Sequence, residues 1–344
     1  MHDDQDRAAS DGTLRWGLLS TAAINQALLG SGHGGIEAVA SRSAERAEAY
    51  AREHGIPRWH ASYEDLLADP DIDAVYVPLP NSMHVEWSVR ALQAGKHVLC
   101  EKPMSRHPQE VERAFDVAEQ EGRVLAEAFM WRHHPAIARA RELIDGGAIG
   151  RVRVIRAAFA FLAQPPDIRL VDALEGGGLM DVGCYCVSGL RALAGAEPER
   201  VYAEQVVGEG GVDVALVATL RFPGDVLGLM DCGLSYVERD QLEAVGDAGT
   251  LVMHDPWHGR ESGIEVRARD GSVRHVEIEA ANSYALELAD LEAVARGERE
   301  PLLGRADAVA QARTIAALYR AAEEGRAIAP TEVPEPTDAG RGPG

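Results

Sequence analysis

His97-Val98-Leu99-Cys100-Glu101-Lys102-Pro103 is the stretch that decides the fold. Its apolar centre is short, as in a parallel strand buried on both faces. Pro103 has no N–H to give to a sheet ladder, so the strand stops there. Open α/β sheets bind ligands at the carboxyl ends of such strands. Lys102 is therefore delivered to the place where a cofactor and a substrate would meet. The plainer alternative is an ordinary strand end carrying a solvated lysine.

Working outward, the flanking sequence repeats the pattern. Leu14 to Leu19 reads as a first strand and Ile36 to Ala40 as a second. Ala74 to Pro80 is a further strand, led in by an acidic helix over Tyr63 to Ala68. A helix from about Pro108 to Glu121 follows Lys102, and then a strand over Val124 to Phe129. Strand and helix alternating in this way mean βαβ units and a parallel sheet. A first domain over 13–131 is expected.

Three strand ends in it carry candidate cofactor residues. Ser20-Thr21-Ala22 stands where a dinucleotide fold would place G-x-G, with a helix pattern from about Ala23. The glycine pattern itself is not met. Small residues still permit a close backbone approach, and a helix start would offer N–H groups to a pyrophosphate. At the second strand end, Ser41-Arg42-Ser43 lacks the acid that binds the ribose of NAD. Arg42 and Arg46 suit the 2′-phosphate of NADP instead. At the third, Asn81 is a good N-cap residue, and His84 would lie one turn on, facing the strand-end crevice.

The second half reads as strands without intervening helices, from Val152 to Phe161 through Val273 to Ile278, with Gly-rich turns such as Gly208 to Gly211. That is the pattern of a largely antiparallel sheet. Two helical periods, Tyr284 to Arg296 and Arg305 to Glu324, close the chain. The second domain is expected over 132–330, with disordered tails at 1–12 and 331–344.

Composition excludes several classes. A net charge of −21 argues against a nucleic-acid partner, which needs a basic face. No apolar run reaches the length of a membrane helix, and the acidic N-terminus is unlike a signal peptide, so no membrane association and a cytoplasmic location are expected. The four cysteines form no CxxC pair and complete no metal site, so they read as buried hydrophobes and no metal is expected.

Outside the first domain, the most informative run is Gly176-Gly177-Gly178-Leu179-Met180-Asp181-Val182-Gly183-Cys184-Tyr185. Three glycines before an apolar segment suggest a helix start that something approaches closely. Asp181 and Tyr185, four apart, would share one helix face. An acid and a phenol there could serve a polyol; a capping Asp with a core Tyr is the plainer reading.

Taken in order, these stretches resemble the Gfo/Idh/MocA oxidoreductases, relatives of glucose–fructose oxidoreductase and inositol dehydrogenase. The likeness runs from about Arg15 to Leu318. It rests on Trp16 to Ile24, Ser41-Arg42, Pro80-Asn81 with His84, Glu101-Lys102-Pro103, Arg132-His133-His134-Pro135, Gly176 to Tyr185, and Tyr284. The resemblance implies an N-terminal Rossmann domain and a C-terminal α/β domain whose open sheet forms a homo-oligomer interface. It implies NADP, or NAD, as cofactor and a sugar or related polyol as substrate. It marks Lys102 as the catalytic lysine and Asp181 as a substrate-binding acid. Many members carry His where this chain has Tyr185, and the Tyr form resembles the branch that holds glucose–fructose oxidoreductase, aldose 1-dehydrogenases and dihydrodiol dehydrogenases. It adds Ile24, Leu79, Glu101, Lys102 and Tyr284 to the cofactor residues, and Arg169, in Asp167-Ile168-Arg169, as a contact to cofactor or substrate. Ser20 and Ala22 depart from the glycine pattern.

The expected chemistry is hydride transfer between nicotinamide and a hydroxyl carbon. Tyr185 acts as acid/base, and the ammonium of Lys102 lowers the high intrinsic pKa of a phenol. The reversed roles, with Lys102 as base, stay open. So do a keto-sugar or dihydrodiol substrate, a non-catalytic NADP-binding sensor, and an interaction protein that uses only the open sheet.

Overall fold

The computed structural model describes residues 13–260 and 263–333. The chain divides into two compact units. In chain order the elements are β1 (Trp16–Leu18), α1 (Asn25–Leu29), β2 (Ile36–Ala40), α2 (Ala44–His54), β3 (Arg58–His60), α3 (Tyr63–Leu67), β4 (Ala74–Val77), α4 (His84–Gln93), β5 (His97–Glu101), α5 (Pro108–Glu121), β6 (Leu125–Ala128) and α6 (Pro135–Asp145). Then come β7 (Val152–Leu162), α7 (Cys184–Ala194), β8 (Arg200–Val207), β9 (Asp213–Phe222), β10 (Val226–Gly233), β11 (Ser235–Gly246), β12 (Gly249–His254), β13 (Gly263–Ala268), β14 (Val273–Glu277), α8 (Ser283–Ala295) and α9 (Arg305–Glu324).

The first unit holds a six-stranded sheet in the order β3-β2-β1-β4-β5-β6, parallel at every pairing. The strand order reverses between β1 and β4, so the turn after β1 lies at the switch point where such sheets bind ligands. Val98, Leu99 and Cys100 are at most 1% exposed, as a strand covered on both faces requires. The three-residue strand β3 has no apolar run and was not legible in sequence.

The unit is not contiguous. Among the described residues it comprises 13–104, 112–130 and 284–305, while 105–111 go with the second unit. This departs from the 13–131 and 132–330 division. The reason is packing: Leu288 and Leu291 of α8 join Trp16, Leu18, Tyr76 and Leu99 in one core. The sequence marks α8 as an apolar helix but does not say which sheet receives it.

The second unit holds an eight-stranded sheet, β14-β13-β12-β11-β7-β10-β9-β8. Only β7 and β10 pair in parallel; the other neighbours are antiparallel. α7 packs on β7 and β10. The mixed α/β reading therefore holds for both sheets. Pro330–Glu332 forms a 3-10 turn and Val333 is buried, so order extends past the expected tail boundary; residues 1–12 and 334–344 lie outside the described residues. All four cysteines are buried thiols. Among the described residues no helix is long and apolar enough to cross a membrane.

Candidate active site

In the first unit, parallel pairing sets the ends of β1, β2, β4 and β5 along one edge of the sheet. Ser20, Thr21 and Ala22 follow β1 and are half-buried. The Ser20 hydroxyl donates to the Pro78 carbonyl at 3.3 Å and accepts the Ala22 N–H at 3.1 Å, while Asn25 donates to the Ser20 carbonyl at 2.8 Å. One turn N–H is thus used internally, and α1 has only five residues. Ile24 stands exposed beside the turn.

At the end of β2, Ser41 is buried, whereas Arg42 and Arg46 are exposed. Ser43 caps α2 by accepting the Arg46 N–H at 3.3 Å and donates to Glu45 at 2.8 Å. Among the described residues the Arg42 and Arg46 side chains make no ion pair. Two uncommitted guanidinium groups at this strand end fit a phosphate monoester.

The residues after β4 differ from expectation. Asn81 heads a 3-10 turn over Asn81–Met83, and the α-helix starts only at His84. His84 does not face the crevice. It is 1% exposed, with Nδ1 2.9 Å from the Pro103 carbonyl and Nε2 2.8 Å from the Leu79 carbonyl. It ties the loop after β4, with buried Leu79, to the loop after β5.

At the end of β5, Glu101 and Lys102 are half-buried. Glu101 Oε1 accepts the hydroxyl of Tyr76, and Oε2 accepts the Lys102 backbone N–H at 3.2 Å. Burial and the adjacent Glu101 charge push the Tyr76 phenol far up. Tyr284 opens α8 near the same charges; burial and then Glu101 raise its pKa, and Lys102 opposes them. Tyr76 was not singled out in sequence, because it reads as one more apolar strand residue.

In the second unit, the glycine run is closely approached by other parts of the protein. A Cβ at Gly177, whose φ is +123°, would fall 2.2 Å from Asp213 Oδ1 and 3.1 Å from the Tyr319 hydroxyl. Asp213 accepts the Leu179 N–H at 2.7 Å and the Tyr319 hydroxyl at 2.8 Å. Burial still pushes its carboxyl up to about 6, against both donors.

The helix that follows begins with a wide π turn, Leu179–Gly183, before the α-helical α7. Asp181 sits in the π turn and Tyr185 in the α-helical part, so the simple four-residue alignment is interrupted between them. Asp181 Oδ2 accepts from Arg169 Nε at 2.8 Å. Asp181, and after it Asp167 at 3.3 Å, raise the Arg169 pKa against burial, and the guanidinium lies 5.7 Å from the Phe161 ring centroid. The half-buried Tyr185 ring meets Phe159 edge-on at 5.3 Å and Trp257 at 6.0 Å. His258 meets the same Phe159 at 5.5 Å. This aromatic wall was not legible in sequence, since it draws on β7, α7 and the loop after β12.

Asp240, Asp255 and His258 bring three possible metal-ligand atoms within 4.8 Å of one another. His258 Nδ1 lies 3.2 Å from Asp240 and 3.3 Å from Asp255, and Arg260 lies 3.6 Å from Asp255. The cluster's charges are thus balanced by side chains, and His258 gains proton affinity mainly from Asp240.

Comparison with known proteins identifies the family. Residues 17–129 match the model of the oxidoreductase family with an NAD-binding Rossmann fold, and residues 137–252 match the GFO/IDH/MocA C-terminal domain. D-xylose 1-dehydrogenase (NADP(+)) 2 of Haloferax volcanii is 37% identical, over 92% of this chain and 99% of its own. An aldose-aldose oxidoreductase from Caulobacter crescentus superposes with a TM-score of 0.84 at 29% identity, over 92% of this chain and 99% of its own. A 3-ketoreductase from Actinomadura kijaniata, in complex with NADP and TDP-benzene, does so at 0.83 and 29%, over 90% and 98%. The chain belongs to the Gfo/Idh/MocA family and is a nicotinamide-dependent oxidoreductase.

Proposed function

We propose that the chain oxidises the C1 hydroxyl of a free aldose with NADP. The observation that carries this reading is the near full-length likeness to an NADP-linked xylose dehydrogenase. The uncommitted Arg42 and Arg46 at the end of β2 support NADP over NAD.

Bound NADP supplies the hydride acceptor. On this reading Tyr185 Oη takes the proton of the C1 hydroxyl while C1 gives up its hydride, leaving the lactone. A phenol with its usual pKa near ~10 is a poor base at neutral pH; the Lys102 ammonium is assigned to lower it and to hold the substrate oxygen. Asp181, oriented by Arg169, is assigned to a neighbouring sugar hydroxyl.

Nicotinamide absorbance on a panel of aldoses, with NADP and NAD in parallel, tests the proposal. Turnover of a pentose or hexose with a preference for NADP is expected. Arg42→Ala should then raise KM for NADP by ~10-fold or more, the loss of one charge-assisted hydrogen bond, and leave NAD kinetics within about twofold. Activity only on a carrier-linked keto-sugar would overturn the aldose reading in favour of a reductase like the Actinomadura enzyme. Cofactor-induced stabilisation without turnover of any sugar would favour a sensor.

We further propose a homo-oligomer formed through the open face of the second sheet. That face leaves Val217, Leu227 and Leu229 at 55%, 44% and 39% exposure, beside a hollow of about 410 Å³ that Tyr202 and Met230 also line. Adjacent exposed apolar side chains of this kind mark interaction surfaces. Light scattering should give a multiple of the 36.9 kDa chain, and Val217→Asp should lower it; a monomeric wild type would refute the proposal.

A further inference from the structure

The buried acids of α8 are of two kinds. Asp290 pairs with Arg299 and accepts the Leu302 N–H at 3.3 Å. Glu292 accepts from Trp16 Nε1 at 3.0 Å and the Leu14 N–H at 3.1 Å, and lies 3.0 Å from His33 Nε2. Burial would raise its pKa, but His33 and Trp16 hold it below the usual carboxylate range. Glu287 has no such set. It is 1% exposed, and both carboxyl oxygens are buried with no hydrogen-bond partner among the described residues.

Its position is as unusual as its isolation. Tyr284, Glu287, Leu288 and Leu291 follow the i, i+3, i+4, i+7 spacing of one helix stripe. Leu288 and Leu291 pack in the core with Tyr76 and Leu99, and Tyr284 packs against it. A carboxyl group thus occupies a core position. The groups acting on it are Glu101 at the end of β5 and, through their own electrostatic coupling, Tyr76 of β4 and Tyr284 of α8. Lys102 follows Glu101 and acts on Tyr284. A lone carboxylate buried without donors, beside another carboxylate, takes up a proton rather than bear that cost.

We propose that Glu287 is a positioning residue of the reaction: a neutral carboxylic acid, on the helix stripe that packs in the core with Tyr76, the hydrogen-bond partner of Glu101, that keeps the end of β5 at one carboxylate against one ammonium. The proposal rests on the reading that Lys102 works at the reacting hydroxyl. Ionised Glu287 would set a second negative charge beside Glu101. That repulsion favours a proton on one of the two acids, and a proton taken by Glu101 would alter how it accepts the Tyr76 hydroxyl and the Lys102 N–H. The carboxylate that accepts the Lys102 backbone N–H would then be held differently, and Lys102 with it.

The test compares wild type with Glu287→Gln, a permanently neutral near-isostere, and with Glu287→Leu in case the amide packs poorly. At pH 8 the wild-type infrared spectrum should contain a protonated-carboxyl C=O band that Glu287→Gln removes; Asp213, at about 6, is ionised there. Glu287→Gln should keep kcat at pH 7 within about threefold and move the alkaline decline of kcat up by about one pH unit or more. Because the folded-state pKa is raised above the ordinary 4.5, wild type loses stability as pH rises from that value. The Tm advantage of Glu287→Gln should therefore be absent at pH 4.5 and reach ~3 °C or more at pH 9. A wild-type spectrum without that band, or an alkaline limb unmoved in both variants, overturns the proposal. The infrared and melting readouts need no substrate, so they stand if no aldose is turned over; turnover without the band sinks only the assignment to Glu287.

Discussion

Lys102→Ala is expected to lower kcat by about a thousandfold, the scale of losing one charged group that both stabilises and positions proton transfer. Binding of NADPH should stay within about threefold. The structure supports the separation of the two effects. Glu101 is held by the Tyr76 hydroxyl and by the backbone N–H of residue 102, and alanine keeps that N–H. His84 reaches the Pro103 carbonyl and so braces the same loop without the lysine side chain. Stopped-flow cofactor titration beside steady-state turnover makes the comparison. A variant that loses cofactor binding or melts early would show that Lys102 is structural.

Tyr185→Phe should lower kcat by about 10²–10⁴-fold, the range for a positioned acid/base group. The variant should still melt cooperatively, because the ring contacts to Phe159 and Trp257 survive. The double variant adds the sharper result. If the ammonium and the phenol serve one proton transfer, the combined loss should fall well short of the product of the single losses. Multiplicative losses would mean that the two residues act in separate steps. A fully active Tyr185→Phe would hand the base to Lys102 or another group.

The strand ending at Lys102, the turn at Ser20 to Ala22 and the helix carrying Tyr185 were legible because each is a local pattern: an apolar run, small residues after a strand, glycines before a helix. Even there the local reading had limits. The spacing of Asp181 and Tyr185 cannot reveal a π turn, since Gly183 admits Cys232 at a distance that only tertiary packing sets; a Cβ there would lie 2.6 Å from its Sγ. The glycines at 176–178 promised a close approach but not its author, Asp213, which lies on β9. His84 looked like a site residue from its place in a first helical turn, and its burial comes from two carbonyls distant in sequence. Glu287 was invisible for the opposite reason. One acid in a helical stripe reads as a solvated face until the packing of α8 is known.

That packing has a temporal side. β1 is made before the whole of the second sheet, whereas α8 is made after it and is completed only at Ala295. Until then the core of Trp16, Leu18, Tyr76 and Leu99 lacks Leu288 and Leu291. A nascent chain that has released all six strands of the first sheet therefore still carries an incompletely covered apolar face, and waits through the whole of the second sheet for its cover. The first unit is begun before the second sheet and completed after it, a long-range closure of the kind that slows folding and invites chaperone capture.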